Sequence, residues 1–362
     1  MERAADIAGL ELGAASAAAR ARRERGGSGS DSGASAKTFA LVALAVVASS
    51  ALFAGWMPLT ASVVTVFLFA GPHNWVELRY FIARLPARLG RSRNFFVAAF
   101  AGIASLLATY TALPYIAQAF AWGGDEWTLA FGIWNSLLIF WLAALVWMRG
   151  RQSSRRDWSW CFAAACALLA ANWLAPQMFS LGLVYLHPLV ALWFLDRHLK
   201  RARTHAWRRA YHLILLTLPL FVGLLWWQLS NAPALDGADA LTSRITRHAG
   251  SDILRNTSSH LLVATHIFLE TIHYGVWLLA LPLVGAGGGS APQWWRVGSL
   301  PLVGNGRRVW PRLIRTLLVL SSFCVVLLWL AFIADYPTTR DLYFTLAMAH
   351  VLAEAPFLLR ML

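Results

Sequence analysis

Charge is scarce in this chain. Asp, Glu, Lys and Arg together supply 13% of its 362 residues, and 58% are hydrophobic. Soluble domains average about 25% charged and roughly 45–50% apolar residues. That shortfall, with a mean hydropathy of +0.55, excludes an ordinary soluble domain. Cysteine is scarcer still: Cys161, Cys166 and Cys324. None forms a CxxC pair or a zinc-ligand spacing, so cysteine-based zinc or thiol-redox chemistry is excluded, and the three read as small apolar residues in packed helices. No evident strand leads into a Gly-rich phosphate loop, and no nucleophile elbow occurs. The N-terminus lacks an early apolar core, so no cleavable signal peptide is expected. No internal repeat of the kind found in transporters is visible.

What the chain has is apolar length. A membrane-crossing helix needs about 20 apolar residues, and ten stretches qualify, near 38–56, 59–78, 95–120, 128–148, 158–175, 178–196, 210–229, 259–283, 316–334 and 342–359. The expected fold is an all-α, polytopic integral membrane bundle of about ten transmembrane helices. Residues 1–37, rich in Ala, Arg, Ser and Gly, read as a disordered basic tail. Residues 38–362 read as one transmembrane domain with a polar insert at 230–258, whose second half is expected to be an amphipathic helix lying on the membrane.

A formal charge of +14 suggests nucleic acid at first sight. The positions of the charges argue against it. Arginines gather at 79–93, 149–156, 197–209 and 296–315, in alternate loops, while the remaining connections are short, acidic or balanced. That is the positive-inside pattern. It predicts cytoplasmic N- and C-termini, an extracytoplasmic insert and residence in a bacterial inner membrane. Nineteen tryptophans, many near span ends, fit interfacial anchoring.

The chemistry is concentrated in a few polar residues inside apolar runs. In Gly71-Pro72-His73-Asn74-Trp75-Val76-Glu77, His73 and Glu77 are one helical turn apart on one face. The spacing returns at His266/Glu270 and at His350/Glu354, and His187 and His273 add two more imidazoles at membrane depth. Ionisable groups in a bilayer are costly and face the protein interior. Any single one could serve a hydrogen bond between helices, but three repeats of His-x-x-x-Glu point to a shared site. The expectation is an intramembrane metal centre built by the second, sixth, eighth and tenth spans. His73, His187, His273 and His350 are the candidate ligands, with His266 a fifth. Glu77, Glu270 and Glu354 are candidates to orient them, to ligate, or to act as a base.

His198, His205 and His212 flank a basic loop and read as interfacial. His248 and His260 read as solvated. Asn172, Gln118 and Gln177 suit hydrogen bonds between helices, and Tyr110, Tyr115, Tyr185 and Tyr274 suit aromatic packing. The set supports a metal-dependent enzyme, with Fe(II) or Cu, of oxygenase or desaturase type, acting on a lipophilic small molecule among membrane lipids. Two alternatives use the same residues: a haem-binding electron-transfer protein and a proton-coupled transporter.

Pro72-His73-x-x-x-Glu77, Tyr185-Leu186-His187 and Ala349-His350 together resemble the Brp/Blh-type membrane β-carotene 15,15'-dioxygenases. The resemblance implies an all-helical membrane enzyme that holds iron with histidines from several spans and cleaves an apolar polyene with O₂. The chain departs from that pattern in having Asn74 and Glu77 where the family carries Gly and Asp. It also lacks paired mid-chain histidines one turn apart.

Overall fold

The computed structural model describes residues 36–86, 90–152, 157–235, 239–285, 295, 300 and 309–361. Among the described residues 89% are helical and no strand occurs. The expected tail at 1–35 and most of the arginine loop at 296–308 lie outside them. Residues 36 and 37 already belong to the first helix.

The helices run in order: α1 (Ala36–Trp56), α2 (Pro58–Arg84), α3 (Arg93–Ala119), α4 (Gly124–Gln152), α5 (Trp160–Leu174), α6 (Pro176–Ala202), α7 (His205–Leu229), α8 (Ala240–His248) and α9 (Ser259–Gly275). Helix α9 passes through a π-helical turn, Val276–Ala280, into α10 (Leu281–Gly285); α11 (Val309–Ala334) and α12 (Tyr336–Met361) complete the chain. Nine stretches among the described residues are long and apolar enough to cross a membrane, α9 and α10 counting as one. The expected span at 158–175 is the exception. Helix α5 has 15 residues, about 22 Å at 1.5 Å per residue, against a hydrocarbon core of about 30 Å. It stops because Pro176 opens α6 after the single extended residue Ala175. Its Asn172 is tied into the bundle by hydrogen bonds to Gly132 O and Ser136 Oγ, while Asn135 donates to Asn172 Oδ1.

Three connections consist of a single residue, each followed by proline within two helical positions: Met57 before Pro58, Ala175 before Pro176, and Asp335 before Tyr336-Pro337. Helix α8 sits at this end. It is amphipathic, as expected, but its buried Ile245 packs on Leu262 and Val263 of α9 and on Leu59 and Val63 of α2, so its apolar face meets protein.

At the opposite end, arginines cap the carbonyls left open where helices finish. Arg360 donates to Arg84 O, Arg149 to Leu359 O, Arg201 to Met361 O and Arg203 to Val284 O. These bonds bring the C-terminal ends of α2, α6, α10 and α12 to one level. Helices α2, α6, α9–α10 and α12 therefore run parallel, from the α8 end to the arginine end, and all four carry the polar residues singled out above.

Candidate metal centre

Each of the four helices is perturbed by proline near its functional side chain: Pro72 beside His73, Pro188 beside His187, Pro356 two residues after Glu354, and Pro282 just past the π turn that follows His273. Proline removes a backbone donor and clashes with the carbonyl four residues back. The π turn widens α9 where Pro282 would otherwise meet Leu278. In α2, His73 Nδ1 lies 3.0 Å from Phe69 O. Against a carbonyl that nitrogen donates, which leaves the Nε2 lone pair facing away from its own helix.

The four histidines expected to ligate come together. Ring centroids are 5.4 Å apart for His73–His273, 5.2 Å for His73–His350, 4.7 Å for His187–His273, 5.1 Å for His187–His350 and 6.1 Å for His273–His350. Two donor groups form around them: His73, Glu77, His273 and His350 in one, His187, His273 and Glu354 in the other. Within each group the ligand atoms lie no more than 4.8 Å from one another. His73 and Glu77 are 0% exposed, and His273 and Glu354 are 2% exposed. Glu354 Oε2 stands 3.1 Å from His187 Nδ1.

The atoms aimed into the cluster fit a cation. His73 Nε2, both oxygens of Glu77, both ring nitrogens of His273, His350 Nδ1 and Glu354 Oε1 are buried and make no hydrogen bond. Orphaned acceptors at such density, two carboxylates among them, are costly in an apolar interior. A divalent ion would satisfy them together. Imidazole-dominated donors with carboxylate favour iron, copper or zinc over magnesium or calcium.

His266 and Glu270 lie outside both groups. They are on α9 but nearer its α8 end. Glu270 accepts from Tyr274 Oη at 2.6 Å, and its other oxygen is 3.8 Å from His266 Nδ1. Tyr274 in turn lays its ring on His73, with centroids 4.2 Å apart. Glu270 thus reaches the centre only through Tyr274. That tyrosine reads from sequence as aromatic packing; its place directly after His273, and one turn beyond Glu270, was the available signal.

His248, expected to be solvated, is half-buried instead, edge-on to His266 at 5.0 Å and tilted against Phe344 at 4.3 Å because α8 docks over this region. His260 is half-buried and pairs with Gly55 O at 3.3 Å. His198 is buried, with Nδ1 3.2 Å from Arg84 at the arginine end, while His212 pairs with Asp196 at 2.9 Å.

Below the cluster, toward the arginine end, an aromatic layer closes the bundle. Phe81 stacks on Phe357 at 4.4 Å, and Trp277 contacts Phe81 at 5.8 Å and Phe194 at 5.5 Å. Beside α9 lies an apolar cavity of about 600 Å³, walled by α1, α6, α7 and α9–α10; Ile272, Gly275 and Val276 line it, flanking His273 in sequence.

Comparison with protein-family models, with curated proteins and with solved structures finds no match to this chain.

Proposed function

We propose that the protein is an integral membrane, metal-dependent enzyme that acts on a lipophilic substrate. One observation carries this reading: four parallel helices converge four imidazoles and two carboxylates, and His73 Nε2, both oxygens of Glu77, both nitrogens of His273 and His350 Nδ1 are buried there without a hydrogen bond. His73, His187, His273 and His350 supply the imidazole ligands, and Glu77 and Glu354 the carboxylates, of the metal centre. Fe(II) is the first choice and copper the second, because an all-but-neutral imidazole set with open positions suits O₂ chemistry. When bound, the ion would supply redox chemistry toward O₂ and an oxidisable C–H or C=C bond.

The chain's own residues do the rest. Phe69 O fixes the tautomer of His73, and the Tyr274 ring fixes its plane. The aromatic layer of Phe81, Trp277, Phe194 and Phe357 keeps water away from the arginine end. The cavity beside α9 offers volume and apolar walls for an isoprenoid or fatty acyl chain, within the usual range of about 300–1,000 Å³ for ligand pockets. The resemblance to the Brp/Blh-type dioxygenases points to the same reaction class. The arginine-rich end is the cytoplasmic one on the positive-inside rule.

The spacing of the imidazoles speaks against haem. Four rings crowd together with centroids 4.7–6.1 Å apart, so a porphyrin plate between any two would overlap the other imidazoles.

The test is direct. Purified protein loaded with Fe(II) is given a membrane lipid extract, ascorbate and ¹⁸O₂, and the lipids are followed by mass spectrometry. An oxidised or desaturated product that disappears with His73→Ala is expected. Protein that holds metal yet alters no lipid would overturn the enzymatic reading.

A further inference from the structure

We infer that the centre is built for two metal ions, with His273 as the ligand their positions share. This rests on the reading above that the cluster binds metal, and it adds the number of ions and the division of ligands between them. Donors to one ion lie about 2.0–2.2 Å from it, so any two are at most about 4.4 Å apart. His73, Glu77, His273 and His350 come within 4.8 Å of one another as one group, and His187, His273 and Glu354 as another, a few tenths of an ångström from that limit. The six residues do not merge into a single group. One ion can satisfy the first set or the second. It cannot satisfy both.

The residue common to the two groups has a distinctive environment. A histidine that binds a single ion almost always donates its second ring nitrogen to a carbonyl or carboxylate. His73 does so, through Nδ1 to Phe69 O. His187 has Glu354 in the corresponding place, 3.1 Å from its Nδ1. His273 has no carboxylate on either nitrogen, and although the Pro188 carbonyl lies near it neither nitrogen makes a well-formed hydrogen bond. The imidazole that belongs to both groups is thus the one with both nitrogens uncommitted. The close approach of His187 Nε2 and His350 Nε2, 3.2 Å, marks the boundary where ligands of the two positions meet.

Each position is also chemically plausible by itself. The first has three imidazoles and a carboxylate, and the second has two imidazoles and a carboxylate. Both leave coordination open, as catalytic sites do. To bind both ions through its two nitrogens His273 gives up its ring proton, taken by a cluster carboxylate or by water, and the ions then lie on opposite sides of the ring, farther apart than the roughly 3.5–4 Å of directly bridged metal pairs. The first group joins α2, α9 and α12 and the second joins α6, α9 and α12, so the pair of positions forms only when all four helices pack together.

The experiment is a titration of full-length, chelator-stripped protein in detergent with Co(II) alone, followed by visible absorption and by elemental analysis after desalting. The expected result is saturation at two Co(II) per chain in the unaltered protein. Saturation at one overturns this inference and leaves the metal-site reading intact; no binding overturns both. The wild-type titration decides the number of ions without relying on any variant. The ligand division is tested by the double variant His187→Ala/Glu354→Gln, checked for native elution and helicity, which is expected to retain one Co(II). If that folded variant still binds two, the second position is not where the structure assigns it, and the inference fails.

Discussion

The Nε2 atoms of His187 and His350 stand 3.2 Å apart, on side chains separated by 163 residues of sequence. Two lone pairs cannot face each other at that distance in an apolar interior, so a proton lies between them or each is turned to its own ion. Glu354 stands against the other nitrogen of His187, as a carboxylate does when it orients a metal-bound imidazole. Glu354→Gln keeps the shape and removes the charge. It is expected to lower metal affinity about 10–100-fold, read by competition with a fluorescent chelator, with helicity unchanged. Unaltered affinity would remove Glu354 from the centre.

Tyr274 has two separable roles, a ring on His73 and a hydroxyl on Glu270. Tyr274→Phe keeps the ring and is expected to retain metal. Tyr274→Ala frees His73 to reorient and is expected to cost about 10–100-fold in metal affinity, the usual penalty for losing a ligand's support. The same competition assay separates them. Equal losses in both variants would mean that the hydroxyl, and through it Glu270, matters more than the ring.

Asn135 and Asn172 join α4 to the short helix α5. Asn172→Ala leaves the buried Asn135 amide short of an acceptor, and each single alanine substitution is expected to cost about 1 kcal/mol in detergent unfolding. The double variant should cost less than the sum, because both remove the same bond. Additive losses would show that the two residues act independently.

Outside the membrane, Asp239 caps α8. Its carboxylate accepts from Thr242 N at 2.8 Å and Thr242 Oγ1 at 2.7 Å, and these bonds hold its pKa below the ordinary aspartate value. A depressed folded-state pKa stabilises above the unfolded value of about 3.9 and is lost as pH falls through the lowered one. Protection of the 240–248 amides in hydrogen exchange, corrected for intrinsic rate, is therefore expected to fall on acidification through that range. Asp239→Asn, which caps without titrating, should abolish the dependence. An unchanged pH profile in that variant would contradict it.

The helical architecture could be read from apolar length alone, because in lipid the backbone must satisfy itself within each helix. The convergence of His73, His187, His273 and His350 followed from depth, since alternate spans run the same way and a rise of about 1.5 Å per residue fixes the level of each side chain. The same arithmetic separates His266 from His273: seven residues are about 10 Å, too far for one ion. The burial of His248 was invisible because it depends on α8 docking against α2 and α9, a tertiary contact that a polar, nine-residue segment does not announce. Likewise α5 is apolar enough to cross; Pro176 makes it too short.

The central claim is that these buried donors bind metal, and elemental analysis of the protein purified without added metal tests it most directly. The account predicts a stoichiometric transition metal in the wild type whose content falls in folded His73→Ala and His273→Ala variants. A wild type that takes up no metal even when iron, copper and zinc are offered, or variants that keep the full complement, would contradict it.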